Sequence, residues 1–395
     1  MKNESMTKKL HPFGSSIFAE MTKMAIDNGA INLAQGFPDF DGPEFIKKAA
    51  CEAIMAGHNQ YANTFGVPEL RKAISKKYKK FYGLDYDADM EISILAGATE
   101  GIFTTILSII NVGDEVILFE PYYDSYPVAV TMAGGSCKYV PLKFPDYEID
   151  FGLLESLVTK KTRMIVVNTP HNPTGKIYTE DELKQIARIA VKHDLIVMSD
   201  EVYEHITFDG ARHIPIATLP GMRDRTITLS STGKTFSMTG WKIGTVCSSA
   251  KLSEAVRTCH QYVIFAVATP FQHAMAKGFE APDEFYSDLL AFYLKKRDMM
   301  AGILTDCGFK ITMPRGSYFI MADFTPFGFN DDVEFCKFLT KEIKVAAIPP
   351  TSFYFNKEYG RNLARFAFCK KEETLLAAAD RLKKLKDHLK KARNA

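Results

Sequence analysis

The sequence lacks most of the features that mark a specialised chain. Its seven cysteines are odd in number, irregularly spaced and nowhere arranged as Cys-x-x-Cys. That argues against a disulfide framework and a cysteine zinc site, and it suits a reducing compartment. None of the nine histidines lies in a His-Glu-x-x-His pair, so no metal site built on one helix is expected. The longest apolar run, about residues 262–271, falls far below the roughly 20 residues that span a bilayer. Near the start, Glu20 and Lys23 interrupt the one segment that resembles a signal-peptide core. Neither charge is in surplus: 49 basic against 47 acidic residues leave a net +2, which offers no single-signed field to nucleic acid or to an anionic membrane. The expectation is a soluble cytoplasmic protein that binds small molecules, with no metal, nucleic acid or membrane partner.

What is present is an ordinary globular composition over 395 residues, enough for one large or two moderate domains with their own cores. Short β-branched or apolar runs at residues 92–95, 115–119, 137–140, 163–167, 195–198, 226–229 and 243–247 predict strands. Helix-length amphipathic segments lie between most of them, at 99–110, 123–132 and 179–192. Earlier, Pro43 and Pro68 open helical patterns over 43–56 and 68–82. The alternation predicts an α/β fold whose mainly parallel sheet is covered on both faces and binds ligands at the carboxyl ends of its strands. After Pro282 a long charged helix runs to about residue 305. Mixed short elements at 317–323, 333–342 and 364–368 and a terminal helix from Glu372 follow it. The expected division is residues 1–42 as an arm with part of the small domain, 43–282 as the large domain, and 283–395 as a small α+β domain. The first forty residues show little regular pattern. The basic clusters Lys76-Lys77 with Lys79-Lys80, and residues 390–393, read as solvated helix faces.

Several clusters carry chemistry. Ser230-Ser231-Thr232-Gly233-Lys234-Thr235 follows the run at 226–229, so Lys234 emerges at a strand end among small residues. Most lysines are surface groups; one flanked by Ser, Thr and Gly at an apolar strand end suits an amine that attacks an electrophile. Gly-Lys-Thr also occurs in nucleoside-triphosphate loops, but those need a glycine five residues before Gly233, where Thr228 stands. No Gly-x-Gly-x-x-Gly is present, which removes a dinucleotide site. Ser231 and Lys242, on either side of Lys234, together suit a phosphate. So does Gly97-Ala98-Thr99-Glu100, where a strand ends and a helix starts with free N–H groups; taken alone, helix starts of this composition are common. Asp200, in Ser199-Asp200-Glu201-Val202-Tyr203, reads either as a capped turn or as a buried acid that demands a cationic partner. Residues 168–175 are turn chemistry throughout, either a plain tight loop or a rigid mount that aims Asn172 at the crevice. His171 within them carries no assigned role.

Asn172-Pro-x-Gly, Ser199-Asp-x-x-Tyr203, Ser231-x-x-Lys234 and Lys242, in that order and spacing, closely resemble the class I aminotransferases of pyridoxal-phosphate fold type I. Gln35 to Phe40, Gln60-Tyr61, Gly97 to Glu100, Tyr122 to Tyr126, Thr239 to Lys242, His260 to Tyr262 and Val345 to Pro349 extend the likeness over nearly the whole chain. They are similar to the group of methionine and kynurenine aminotransferases (glutamine transaminase K). The resemblance implies a large domain with a mainly parallel seven-stranded sheet between helices, a smaller α+β domain, pyridoxal 5'-phosphate as cofactor, and a homodimer with shared active sites. It makes Lys234 the Schiff-base lysine and later the acid–base catalyst at the substrate Cα. Asp200 then pairs with the pyridinium nitrogen, Tyr203 and Asn172 hydrogen-bond the ring hydroxyl oxygen, and Tyr123 stacks on the ring. Ala98, Thr99, Ser231 and Lys242 hold the phosphate, and Tyr61 reaches it from the partner subunit. Arg365 clamps the substrate carboxylate through its planar fork; without the resemblance it reads as a strand-edge charge. Gly36 adds a backbone contact beside that carboxylate, and Phe18 lies over the substrate. Ala98-Thr99, Phe18 and Ala266 depart from the kynurenine enzymes, which tend to have Gly-Tyr, Trp and His there, and lean toward bacterial methionine aminotransferases.

The expected reaction is a ping-pong transamination with methionine or aromatic donors. A cysteine-S-conjugate β-lyase is the alternative on the same fold. A non-catalytic pyridoxal-phosphate regulator is the remote one, disfavoured because no helix-turn-helix or basic domain is appended.

Overall fold

The apolar runs pair into one seven-stranded sheet in a computed structural model that describes residues 5–14 and 16–385. The strands of the chain are β1 (Ile31–Asn32), β2 (Ile92–Ala96), β3 (Glu115–Glu120), β4 (Ser136–Pro141), β5 (Thr162–Asn168), β6 (Ile196–Asp200), β7 (Thr226–Ser231), β8 (Ile243–Cys247), β9 (Lys310–Ile311), β10 (Phe319–Asp323), β11 (Val345–Ala346) and β12 (Leu363–Ala367). The large sheet has the order β2-β8-β7-β6-β5-β3-β4. All its pairings are parallel except those of β8, which runs antiparallel to both β2 and β7. Its centre is apolar on both faces, as a helix-covered parallel sheet requires: every residue of β6 is buried.

The chain leaves β3 for β4 on one side and returns to β5 on the other, so the strand order reverses between β3 and β5. In an open α/β sheet such a reversal opens a crevice at the carboxyl ends. The register sets Asn168 of β5 beside Asp200 of β6. β7 ends at Ser231, directly before the short helical turn Thr232–Thr235 that carries Lys234.

A second sheet, β12-β10-β9, is antiparallel and places Met321 opposite Arg365. β1 pairs parallel with β11. The stretch read as lacking regular pattern holds a helix, Ile17–Asp27, capped by the Ser16 side chain, which accepts from the Ala19 N–H. Met21 and Ala25, one turn apart, are buried in the same core as β10, β11 and β12. Glu20 and Lys23, which interrupt the apolar pattern along the chain, lie on its exposed side. The helices Ala250–Val263 and Thr269–Gly278 were also not expected. The helix expected from residue 123 begins at Ser125, leaving Tyr123 in the turn before it.

One basic cluster departs from its solvated reading. Lys79 and Lys80 are exposed, but Lys77 is buried and paired with Glu204, whose carboxylate also accepts from Tyr82 Oη (2.7 Å) and Ser230 Oγ (2.5 Å). Residues 390–393 lie outside the described residues. Among those described, no helix is long and apolar enough to cross a membrane.

Gly244 of β8 packs against the start of the helix Gly97–Ile109; a Cβ there would stand 2.7 Å from the Ala98 N and 2.7 Å from the Gly97 Cα. Backbone cannot rotate aside. Gly244→Ala is therefore expected to cost about 1–3 kcal/mol of stability by urea denaturation, and stability within error of the parent would contradict this packing.

Candidate active site

The carboxyl ends of β3, β5, β6 and β7 open into a cavity of about 370 Å³. Of the site residues expected from the sequence, all line it except Tyr61.

Asp200 ends β6 and is buried. Its Oδ2 accepts from Tyr126 Oη at 2.6 Å and its Oδ1 from the Val202 N–H at 3.3 Å. Burial pushes the carboxyl up to about 6, against the pull of those donors and of the Lys234 charge. The cationic partner expected of a buried acid is not supplied by the chain: among the described residues no lysine, arginine or histidine forms an ion pair with it. Behind it, Asn168 Nδ2 donates to the Asp200 carbonyl (2.9 Å) while Asn168 Oδ1 accepts from the Asn172 N–H (2.9 Å). This short ladder fixes the loop that presents Asn172. His171 is buried beside Thr174 Oγ1 at 2.8 Å, and burial pushes its imidazole down to about 3; it is neutral packing.

At the other end the cavity suits an anion. The helix Gly97–Ile109 starts with no side-chain cap, so its first N–H groups are free to meet a ligand. Its start is pinned by Glu100, whose Oε2 accepts from the Ala96 N–H at 2.5 Å and whose Oε1 meets His260 Nδ1 at 2.6 Å. Ala98 and Thr99 form the first turn. Gly97 has φ +76° and lies against Lys242, whose Nζ would stand 2.8 Å from a Cβ at that position. Lys242 itself adopts φ +55°, a left-handed conformation unusual for a lysine. Ser231 faces the same cavity and accepts from the Gly233 N–H at 3.3 Å.

Between these ends stands the Lys234 amine. Burial holds it down at about 8, although Asp200 favours its charged form. Nζ donates to Tyr318 Oη at 2.9 Å and reaches the Gly36 carbonyl at 3.3 Å. Tyr203 closes one side, with Nζ 5.6 Å from its ring centroid. Tyr123 lines the cavity and packs edge-on to Tyr126.

Arg365 is 1% exposed. Nη1 donates to Asn172 Oδ1 (3.0 Å) and Nη2 to the Ala34 carbonyl (2.7 Å), while Nε is buried with no partner. Rings surround the guanidinium: Phe319 at 4.2 Å, Phe353 at 5.1 Å and Phe18 at 5.2 Å. No carboxylate pairs with it among the described residues, and burial pulls even this group down to about 10. A buried guanidinium without an anion is costly unless a ligand provides one.

Tyr61 stands apart, 83% exposed, edge-on to Phe265 at 5.2 Å. Sequence reasoning gave no role to Tyr126, although the run Tyr122 to Tyr126 was noted, and it did not single out Tyr318 or Phe319. Their partners are distant in the chain, so no local spacing reports them.

The model of the family "Aminotransferase class I and II" matches residues 28–382. The chain is 41% identical to the methionine aminotransferase of Escherichia coli, over 95% of this chain and 97% of that one. It is 40% identical to the kynurenine–oxoglutarate transaminase of Dictyostelium discoideum, over 96% of each. The solved structure of N-succinyldiaminopimelate aminotransferase from Mycobacterium tuberculosis superposes with a TM-score of 0.94 at 42% identity, covering 96% of this chain and 100% of that one.

The depressed Lys234 amine links stability to pH. Between pH 8 and 10.5 the unfolded chain holds the proton that the folded chain has released. Stability therefore rises with pH through that window, and the cost of burying the ammonium is present in full below it. Lys234→Met should stabilise the ligand-free protein by roughly 1–3 kcal/mol at about pH 7 and by much less near pH 10.5. Chemical denaturation at the two pH values checks this; an equal difference at both would show that proton binding at Lys234 is not responsible.

Proposed function

This chain belongs to the class I and class II aminotransferases, and from that premise we propose that it moves the amino group of methionine, an aromatic amino acid or a related donor such as glutamine or kynurenine to a 2-oxo acid. The observation that carries the reading is the pair of buried charged groups without an ion pair among the described residues, Asp200 and Arg365, lining one cavity with the Lys234 amine.

The family depends on pyridoxal 5'-phosphate, and the residues present fit it: free N–H groups with Ser231 and Lys242 for the phosphate, the Tyr123 ring beside them, and Asp200 unpaired for a cationic ring nitrogen. When bound, that cofactor supplies an aldehyde that condenses with amines and a protonated ring that draws electrons from the substrate Cα. Lys234 would hold the cofactor covalently and, once freed, would carry the Cα proton, a task suited to an amine that burial holds below the usual lysine range. Asp200, its carboxylate fixed by Tyr126, would keep the ring nitrogen protonated. Tyr203 and Asn172 would hold the ring hydroxyl oxygen. Arg365 takes the substrate carboxylate and so fixes the angle at Cα, with the Gly36 backbone beside it.

Arg365 is the one guanidinium lining the cavity among the described residues. The rings of Phe18, Phe37 and Phe319 also line it, which favours an apolar or aromatic side chain over a second carboxylate. Tyr61 and Phe265 form an exposed aromatic patch. We infer that a second copy covers it and that Tyr61 completes the phosphate site of that copy in a homodimer. Seven free thiols suit a cytoplasmic setting. Residues 1–42 would then be an arm with part of the small domain, 43–282 the cofactor domain and 283–395 the small domain.

Borohydride reduction of the protein incubated with pyridoxal phosphate should leave a pyridoxyl label on Lys234, and label on another lysine would overturn the assignment. Lys234→Ala should abolish turnover while retaining some cofactor through the phosphate site. Against a panel of donors and 2-oxo acids, methionine and phenylalanine should exceed aspartate, and Arg365→Lys should raise the donor KM by about 10–100-fold, the loss expected when a bidentate fork becomes a point charge. Pyruvate formed from a cysteine conjugate without any oxo-acid acceptor would instead identify a β-lyase.

A further inference from the structure

We propose that Tyr318 is the positioning residue that holds and orients the Lys234 amine while it moves the substrate proton, an inference that rests on the aminotransferase reading above. Once displaced by a substrate, Lys234 would meet the Cα proton as an amine. Its Nζ lies 2.9 Å from Tyr318 Oη and 3.3 Å from the Gly36 carbonyl. The phenol's own proton is already committed, because Oη donates to that same carbonyl at 2.5 Å. The phenol oxygen therefore only accepts from the amine.

A neutral amine has two N–H groups and one lone pair. With acceptors at Tyr318 and Gly36, the N–H groups are drawn to that side and the lone pair is left facing the cavity. In the proton step the lone pair forms the new N–H bond as the Cα–H bond breaks, and the electrons of that bond stay with the substrate. The ammonium keeps its two hydrogen bonds and holds the third proton toward the substrate, ready to return it.

Neither acceptor is free to drift. Tyr318 is fully buried, packed edge-on to Tyr203 at 5.0 Å and against Phe319 at 4.9 Å. The loop carrying Gly36 is stapled to the C-terminal part of the chain: Lys370 Nζ donates to the Phe37 carbonyl (2.8 Å), and Asp39 accepts from the Lys371 N–H (2.6 Å) and Thr374 Oγ1 (2.7 Å). A Cβ at Gly36 would stand 2.6 Å from the Phe319 ring, so a residue without a side chain lets the loop approach this closely.

Tyr318→Phe keeps the ring and deletes the oxygen. In the holoenzyme it should lower kcat by about 10–100-fold while the donor KM changes by less than about 3-fold. The isotope effect from a Cα-deuterated donor should grow as proton transfer becomes slower. A second readout needs no turnover. In cofactor-free protein carrying ¹³C-methylated lysines, the Lys234 resonance, identified by its absence in Lys234→Met, should titrate at lower pH in the variant, because the ammonium has lost an acceptor. Unchanged kcat and isotope effect, or an unmoved titration, would overturn the proposal. If the phenylalanine variant does not fold, 3-fluorotyrosine placed at position 318 weakens the same acceptor and should shift the titration in the same direction; no shift again overturns it. If the parent protein fails to transaminate at all, the aminotransferase reading falls, while the titration still decides whether Tyr318 governs the amine.

Discussion

Asp200 and Arg365 are ionisable groups placed where water hardly reaches them, and neither is given an opposite charge by the described residues. Such burial is expensive. The chain softens it with neutral donors and acceptors: Tyr126 and the Val202 amide for Asp200, and Asn172, the Ala34 carbonyl and three phenylalanine rings for Arg365. The residual cost is one that a bound cation beside Asp200 and a bound carboxylate beside Arg365 would relieve. The contrast with Lys77 and Glu204 is instructive. They too are buried, but each is the other's partner, with Tyr82 and Ser230 completing the set, and that cluster is structural.

The site requires two separate sheets to be brought together. Asp200, Asn172 and Lys234 hang from the parallel sheet, whereas Arg365 and Tyr318 come from β12 and the approach to β10. Hydrogen bonds cross the seam at the site itself, from Arg365 to Asn172 and from Lys234 to Tyr318. Away from it, Glu120 at the end of β3 accepts from the Phe355 and Asn356 N–H groups. The same seam sets the position of the Gly36 loop, which faces the amine on one side and the Phe319 ring on the other. The relative orientation of Asn172, Lys234, Tyr318 and Arg365 is thus a property of the interface between the sheets.

Much of this was legible along the chain because it is governed by local rules. The strand over 243–247 and the helix over 68–82 follow from apolar periodicity and from proline at a first helical turn. Turn residues directly after strands marked where Asn172, Asp200 and Lys234 would stand. Other features had a local signal that was overridden. Lys77 lies seven residues after Leu70 and three after Ile74, on the buried stripe of its helix, but the run of lysines around it reads as a solvated face. The helix Ile17–Asp27 buries Met21 and Ala25 at four-residue spacing, and the charges of Glu20 and Lys23 obscured that spacing because they point outward.

By itself the sequence determined which segments form the seven strands of the large sheet and, through four dispersed motifs, the family to which the chain belongs. All of these depend on neighbours a few residues away or on fixed spacings. The tertiary structure alone decided that Asp200 receives Tyr126 instead of a cation, that Arg365 keeps an unpartnered Nε, and that Tyr318 and Gly36 share the Lys234 amine across 84 and 198 residues of chain. Those relations depend on how the two sheets pack against each other. No periodicity encodes the distance between side chains so far apart in sequence, and it is this distance that sets the surroundings and proton affinity of the Lys234 amine.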